Sequence, residues 1–580
     1  MTNSDIARIL DRIADLMEIA EGDRFRIGSY RRAARSVLDA SEDVAAMAEA
    51  GRLTELPGIG KGIADRIVQY VRTGCIDVLD ELQTRFPPTM VELLGIPGMG
   101  PKKVALIHQK LGVCDLEGLK RVIESGELAA LKGMGETSVR KIAEGIAFVN
   151  TSTARTPLGL AITVAERFLQ CLHDVSGVRR AEYAGSLRRG CETIGDIDFL
   201  CDAADGAAVI GSFCRLPRVS RVLAQGDTKG SIVVGMEDSR ELQIDLRVVE
   251  TASFGAAWQY FTGSKEHNVK LRERAVAKKW RLNEYGLFDG ERCIAGKTED
   301  EIYRKLGMPL IPPELRENRG EFERDYEVPE LVTLDDIRGD LHMHTIASDG
   351  QRTIAEMAEN AKRKGYQFIA ICDHSKSSVI ANGLSIERMR EHIREVRKVN
   401  ERIKGITILA GTECDILPDG TMDYPDDLLA ECDWVMASVH SAMTPSKDKM
   451  SPTERTLAAM ENRYVCAIGH PTGRLINRRA PMDIDMQKVV AAAAKNKTML
   501  EVNANWLRLD LKDAHIRMAL AAGVMLTINT DAHSFADMEQ MRFGVITARR
   551  GGAGKNQIAN CLPLAELKKR VAAKRNRAGG

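Results

Sequence analysis

The sequence predicts a multidomain protein in three parts: a helical N-terminal region, a central α+β unit, and a C-terminal α/β unit built on a parallel sheet or barrel. Three observations predict it. A glycine turn recurs three times in the first 150 residues, each time ahead of a helical stretch; strands and helices alternate from Leu158 to about Met308; and beyond about Thr333 apolar strands alternate with helical patterns and end in histidines and acids. At 580 residues the chain exceeds what one hydrophobic core supports, and its 44% hydrophobic and 28% charged content is that of a globular protein, so several cores are expected.

The charge balance narrows the function classes. Basic and acidic residues number 82 each, so any nucleic-acid face has to come from local clustering. Arg24-Phe25-Arg26, Arg31-Arg32, and Arg179-Arg180 through Arg188-Arg189 are candidate basic surfaces, with ordinary solvated faces as the alternative. The N-terminal stretch is amphipathic and broken by Asp5, Arg8, Asp11, Arg12 and Asp15, unlike a signal peptide or a membrane helix. Twelve cysteines without a C-x-x-C pair argue against a disulfide framework or a thiolate zinc site. The expected location is therefore the cytoplasm, with no membrane partner.

The N-terminal repeat reads Leu56-Pro57-Gly58-Ile59-Gly60-Lys61, Ile96-Pro97-Gly98-Met99-Gly100-Pro101 and Leu131-Lys132-Gly133-Met134-Gly135-Glu136. Each copy precedes a helical pattern (Ile63 to Val71, Lys103 to Leu111, Val139 to Phe148). Glycines there let the backbone approach a ligand and aim helix-start N–H groups at an anion. A lone turn of this kind is usually a tight helix connection; three favour binding of a phosphate backbone over a purely structural array.

A Ser/Thr-rich stretch, Thr151 to Pro157, marks the next boundary, followed by a helix over Leu158 to Leu172. In Gly185-Ser186-Leu187-Arg188-Arg189-Gly190 through Gly195-Asp196-Ile197-Asp198, two aspartates stand two apart on an expected strand and face the same way. Asp245 sits at the centre of another apolar strand, Leu242 to Arg247. A buried acid there is costly unless a cation compensates, and two divalent cations held by three carboxylates can support in-line phosphoryl displacement. The Gly185-Ser186 turn and Arg189 supply backbone, hydroxyl and guanidinium donors for a triphosphate.

This constellation resembles the palm of family X DNA polymerases, the group that includes the eukaryotic repair polymerase beta. The resemblance continues through Tyr260-Phe261-Thr262-Gly263-Ser264, similar to the family's nucleotide-binding motif in which the aromatic pair senses the sugar. It implies that Asn268 and Arg272 contact the minor-groove side of the nascent pair, that Gly195 belongs to the nucleotide site, and that Leu282 to Leu287 lies in the thumb. It also implies that the glycine turns are helix-hairpin-helix clamps that grip DNA through Gly58, Gly60, Gly98, Gly100, Gly133 and Gly135, and that Arg24 to Ala34 belongs to the family's small N-terminal domain. Two departures stand out. Arg66 occupies the position of the lysine that forms a Schiff base with an abasic sugar; an arginine stays protonated and is no amine nucleophile, though Lys61 is near. Gln243 replaces an arginine ahead of the third aspartate.

Pro309, Pro312, Pro313 and Pro329 bracket a charged segment, Glu314 to Glu327, which reads as an exposed linker. Beyond it, strands are expected at Phe368 to Cys372, Thr407 to Ala410, Trp434 to Val439 and Met525 to Ile528, and Thr353 to Glu356 fits a capping box. Asp340-Leu341-His342-Met343-His344, Asp349, Asp373-His374, Glu413, His440, His470 and Asp531-Ala532-His533 close or follow such strands. In a parallel barrel those ends converge on one mouth. Mixed imidazole and carboxylate ligands suit manganese, zinc or iron. The pattern resembles the PHP phosphoesterase domain, a distorted seven-stranded (β/α)7 barrel that binds up to three metals. The resemblance implies nine ligands, His342, His344, Asp349, His374, Glu413, His440, His470, Asp531 and His533, and metal-assisted phosphodiester hydrolysis. Arg474 is a candidate phosphate contact, with a surface arginine the alternative; His392 and His515, in helical patterns, are left out of the site; and the basic tail Lys568 to Arg577 either touches DNA or is disordered.

Together these readings place an N-terminal DNA-binding domain at 1–85, a fingers-like helical domain at 86–155, the palm at 156–250, the thumb at 251–308, a linker at 309–335 and the barrel at 336–575. The expected activity is gap-filling synthesis in DNA repair, including base excision repair, with 3′-to-5′ exonuclease or abasic-site cleavage from the barrel. The expected ligands are Mg²⁺ or Mn²⁺ with a dNTP in the palm, up to three Mn²⁺, Zn²⁺ or iron ions in the barrel, and gapped or nicked DNA on a monomer. A small-molecule phosphatase of the histidinol-phosphate type and a DNA-binding scaffold with an inactive polymerase are the alternatives.

Overall fold

The computed structural model describes residues 3–20, 23–39, 44–56, 58–87, 89–90, 93–96, 99–131, 133–135, 138–140, 142–143, 146, 155–236, 240–443, 450–479 and 481–576. The chain divides into two units, one of Met1–Ala154 with Gly235–Glu241 and Val269–Ala277, the other of Arg155–Val234, Leu242–Asn268 and Lys278–Gly580.

In the first unit a single hydrophobic core runs from Ile6 to Ile146. The repeated turn has one geometry. The N–H of its central apolar residue donates to the carbonyl three residues back, Ile59 to Leu56, Met99 to Ile96 and Met134 to Leu131, at 3.2, 2.9 and 3.0 Å. Those three apolar side chains are buried, which pins each turn to the core. Gly60, Gly100 and Gly135 then open a helical turn, accepting at 3.0, 2.9 and 2.8 Å from Ile63, Lys103 and Ser138. Gly58 and Gly133 adopt φ of +78° and +95°, where a side chain would be strained. Gly98 lies outside the described residues, as does part of the third helix and the stretch 151–154. Helices Lys61–Thr73 and Pro101–Leu111 begin without a side-chain cap, and such N-termini favour anions.

The basic runs are less free than their sequence implies. Arg31 pairs with Asp15 at 2.6 Å, Arg179 with Asp202 at 2.6 Å and Arg188 with Glu299 at 2.7 Å.

Seven strands follow residue 155: β1 (Thr156–Pro157), β2 (Val178–Tyr183), β3 (Thr193–Ile194), β4 (Asp196–Ala203), β5 (Val219–Gln225), β6 (Lys229–Gly235) and β7 (Glu241–Val249). β1 pairs antiparallel with β3, and the other five form a sheet of order β2-β4-β7-β6-β5. β4 and β7 run parallel. The expected helix after the boundary spans Leu158–His173. A three-stranded antiparallel sheet follows, β8 (Arg281–Asn283), β9 (Gly286–Asp289) and β10 (Arg292–Ala295).

The segment read as an exposed linker is instead woven into the fold. Arg316 is fully buried and pairs with Glu299 at 2.6 Å; Glu321 is buried and pairs with His267 at 2.9 Å; Glu317 pairs with Arg189 at 3.0 Å. Each charge meets an opposite charge brought from far along the chain, which removes the cost that would keep it in water.

The C-terminal part is a seven-stranded parallel sheet in sequential order: β11 (Gly339–Met343), β12 (Phe368–Ile371), β13 (Thr407–Asp415), β14 (Trp434–Ser438), β15 (Ala467–Ile468), β16 (Met499–Asn503) and β17 (Leu526–Asn529). Every residue of these strands except Thr407 is buried, which is why they read as continuous apolar runs. A parallel bridge from Met343 to Ala532, with the His344 N–H donating to the Ala532 carbonyl at 2.8 Å, brings the last strand's end beside the first. The sheet thus curls into a nearly closed barrel. The Thr353 capping box forms, Glu356 accepting from the Thr353 N–H at 2.9 Å. Among the described residues no helix is long and apolar enough to cross a membrane.

Candidate active sites

The first site lies where β4 and β7 run side by side. Their register sets Asp198 directly opposite Asp245, and Asp196 opposite Gln243, so the period-two strand gathers all three carboxylates on one face. Gly185 makes this possible: its φ is +62°, and a Cβ there would collide with the Asp198 carboxylate. Burial, then the charges of Asp196 and Asp245, push the Asp198 carboxyl up to about 7. Burial and Asp245 also raise Asp196. Burial pushes Asp245 the same way, but hydrogen bonds from Ser231 at 2.6 Å and Gln243 at 2.9 Å, with Lys229 at 3.1 Å, outweigh it and hold it below the usual range. Gln243 therefore serves as a donor that orients Asp245. A divalent cation would relieve the crowding of negative charge at Asp198, so the residues fit one.

The short helices that carry Gly185, Ser186, Tyr260 and Phe261 pack against β4. Gly185 and Ser186 open the short helix Gly185–Arg188. Gly195 sits immediately before β4. Tyr260 and Phe261 end the helix Phe254–Thr262, their rings edge to face at 5.2 Å, and Arg247 lies 4.4 Å over Phe261. Gly263 has φ of +68°. The Asn268 amide donates to the Tyr260 carbonyl and accepts from Gln259, both at 2.7 Å, and Arg272 stands one turn further along Lys265–Ala277. Arg189 points away from the carboxylates: its guanidinium donates to the Thr262 carbonyl at 2.6 Å and to Glu317 at 3.0 Å. Arg550, the last residue of the helix Met541–Arg550, completes the tie, donating to the Arg189 carbonyl at 2.6 Å and pairing with Glu317 at 3.0 Å and Asp513 at 3.1 Å. Gly190 fits beneath Ile546, and any Cβ there would strike it.

The second site is the mouth of the barrel. All nine residues expected from the sequence meet there. Glu413 is the hub, within 3.4 Å of His342, 3.0 Å of His374, 3.3 Å of His440 and 2.9 Å of His470. His344 approaches Asp531 at 3.1 Å, and Asp349 lies 3.5 Å from His374 and 3.3 Å from His533. Three donor groups result: His344, Asp349, His374 and His533; His342, His344 and Glu413; and His374, Glu413 and His440. Buried ring nitrogens of His342, His344, His374 and His470 make no hydrogen bond, as expected of atoms placed for metal rather than for protein partners. Burial would raise Glu413 and Asp531, but neighbouring histidines outweigh it and hold both well below the usual carboxylate range.

An outer layer aims these ligands. Glu501 accepts from His342 Nδ1 at 2.8 Å and from the His470 N–H at 2.7 Å. Asp415 holds His440 Nδ1 at 2.6 Å. Asp373 takes the Ser348 hydroxyl at 2.5 Å and His392 at 2.8 Å. Sequence reasoning passed over Glu501, a lone acid within an apolar strand and so the same signal that marked Asp245, and Asp415, which stands two residues after Glu413 on the same strand. Arg474 is not a phosphate contact: its guanidinium donates to the carbonyls of Arg508 and Leu509 at 2.8 and 2.6 Å and pairs with Glu192 at 2.8 Å. Arg508, 3.6 Å from Asp531, lines the cleft of about 550 Å³ above the site instead.

Comparison with known sequences agrees with this geometry. Family models match for a helix-hairpin-helix domain over residues 1–76, a SAM-like helix-hairpin-helix tandem over 90–147, the DNA polymerase beta thumb over 257–317 and the PHP domain over 340–505. The DNA polymerase/3'-5' exonuclease PolX of Bacillus subtilis is 39% identical over 98% of this chain and 99% of its own length. The chain belongs to the PolX family. Other relatives match only part of the chain: a probable phosphatase of Thermoanaerobacter is 28% identical over 42% of this chain and 97% of its own length, and one of Shewanella sediminis 33% identical over 33% and 77%. The PolX match, over 98% of the chain, spans both sites.

Proposed function

We infer that the chain is a DNA-directed DNA polymerase that fills short gaps during repair and carries a separate metal-dependent 3′-to-5′ exonuclease centre in its barrel, with abasic-site cleavage as a related end-processing reaction. The observation that carries this reading is the presence in one chain of two chemically distinct centres, three strand-borne carboxylates and a nine-residue histidine and carboxylate cluster, together with a triplet of DNA-clamp turns.

In the palm, Asp196, Asp198 and Asp245 would hold Mg²⁺ or Mn²⁺, and such ions supply activation of the primer hydroxyl and neutralisation of the departing pyrophosphate. Gly185 and Ser186 offer backbone and hydroxyl donors to the triphosphate, Gly195 leaves the approach to Asp196 open, and Arg189 fixes the two nucleotide turns against each other. Tyr260, Phe261 and Gly263 shape the sugar pocket, and Asn268 and Arg272 face the nascent pair. In the barrel the nine ligands would hold up to three Mn²⁺, Zn²⁺ or iron ions. There Glu413 and Asp531 stay ionised, Glu501 and Asp415 fix the histidine tautomers, and Arg508 receives the phosphate. Gly58, Gly60, Gly98, Gly100, Gly133 and Gly135 would grip the DNA backbone. Gapped or nicked DNA and dNTPs are the proposed partners of a monomer, and twelve free thiols support a reducing, cytoplasmic setting. The domain limits proposed are those drawn from the sequence, except that 309–335 packs into the fold instead of forming a linker.

A reading confined to hydrolysis of small phosphate esters draws support from the shorter relatives, but it leaves the palm without a role. The test is a 5′-labelled primer across gaps of one to five nucleotides, with dNTPs and Mg²⁺ or Mn²⁺. Extension that stops at the gap's far side is expected; absence of extension with any divalent metal would contradict the polymerase assignment.

A further inference from the structure

We propose that Val379 and Ile380 form a wedge that unpairs the 3′-terminal nucleotide of a DNA duplex at the barrel's mouth and so set which ends that site cleaves; the proposal rests on the exonuclease reading above. The two side chains are adjacent in sequence and strongly exposed, at 80% and 105%. Single exposed aliphatic residues are ordinary on protein surfaces. A consecutive pair on the lip of a polar, metal-suited cleft is different, and both residues line that cleft.

The loop that carries them is fixed to the site itself. The Ser377 N–H donates to Asp423 at 2.8 Å, and the hydroxyls of Ser377 and Ser378 donate to Asp415 at 2.5 and 3.0 Å. Asp415 is the residue that also holds His440. Behind the lip, the Asn382 amide and the Arg388 guanidinium both donate to the Ala347 carbonyl, at 3.1 and 2.7 Å. Val379 and Ile380 stand in a single 3₁₀ turn, Val379–Ala381, between these two anchors. The apolar pair is therefore held out into solvent at a constant distance from the ligands rather than folded onto the barrel.

A paired terminus presents a problem that such a lip solves. His374, Glu413 and His470 line the cleft and are buried, so the last phosphodiester has to leave the duplex to reach them. Inserting aliphatic side chains between base steps separates them, with no hydrogen-bonding group to favour one base. Arg508, lining the same cleft, offers a cation to the phosphate once it enters.

The test compares the native full-length chain with Val379→Ser/Ile380→Ser, loaded with Mn²⁺, on a blunt duplex, the same strand alone, a duplex with a mismatched 3′ end, and bis(p-nitrophenyl) phosphate. Both side chains are solvent-exposed, so the variant should fold, and the small diester reads the metal site directly. The variant is expected to lose about tenfold on the blunt duplex and less than about threefold on the single strand and the mismatched end, with the diester unchanged. A parallel loss on every DNA, or no loss on the duplex, would overturn the wedge while leaving the exonuclease reading in place. A native protein that hydrolyses the diester but degrades no DNA would overturn that reading and the wedge with it.

Discussion

The two sites assemble negative charge in opposite ways. In the palm, three carboxylates are pressed together on neighbouring strands, with the side-chain hydrogen bonds of Ser231, Gln243 and Lys229 concentrated on Asp245, and burial and its two neighbours push Asp198 up to about 7. In the barrel, Glu413 and Asp531 are buried more deeply yet held well below the usual range, because histidines surround them. The palm is built to need a cation at the moment of use, while the barrel carries cationic partners that a metal displaces.

Breaking the barrel's hub should have the largest effect. Glu413→Gln removes the carboxylate that lies within 3.7 Å of five histidines, and is expected to lower hydrolysis about a thousandfold and strip bound metal, leaving primer extension intact. Metal analysis beside the two activity assays checks it. Glu501→Gln disturbs the support of His342 and His470, along with the hydrogen bonds from Asn503 and Asn529, and should cost about 10- to 100-fold in metal affinity, read by titration with Mn²⁺.

Arg550→Met sharpens the comparison from the other side, since this barrel residue holds the palm's Arg189 turn. It should lower stability by about 3 kcal/mol in urea denaturation and raise the dNTP KM, while hydrolysis of a small diester stays near the native rate. A fall in hydrolysis equal to the loss of extension would mean that the tie is merely structural.

The smallest effect concerns pH. Asp198 has a folded value near 7 against an ordinary value of about 3.9, so between those limits the metal-free folded state keeps a proton that the unfolded chain has lost. Stability should therefore fall as pH rises from about 4 to about 7, and Mg²⁺, which binds the ionised form, should restore it. The Mg²⁺-induced gain in Tm should be a few degrees larger at about pH 8 than at about pH 5.5, measured by differential scanning fluorimetry and absent in Asp198→Asn.

How far the sequence spoke depended on how local each feature is. Asp196 and Asp198 stand two apart, and the strand period alone puts them on one face. The barrel ligands are scattered over some two hundred residues, yet each lies toward the end of an apolar strand or shortly after it, and parallel topology brings such ends together. The glycine turns were legible because three copies share a pattern. Burial of the charged segment from Glu314 was not legible, since the partners of Arg316, Glu317 and Glu321 come from residues 299, 189 and 267. Choosing between Arg474 and Arg508 was equally beyond the sequence. Both are arginines near the barrel mouth, and only the backbone path shows that one braces Glu192 while the other faces the cleft.

The central claim is that two independent centres act on DNA ends. It is tested most directly by incubating a 5′-labelled primer on gapped DNA with Mn²⁺, with and without dNTPs, for the native chain, Asp196→Ala/Asp198→Ala and His342→Ala/His344→Ala. The account predicts that the first double variant loses extension but still shortens the primer, and that the second loses shortening but still extends. Survival of both activities in both variants, or loss of both in either, would contradict it.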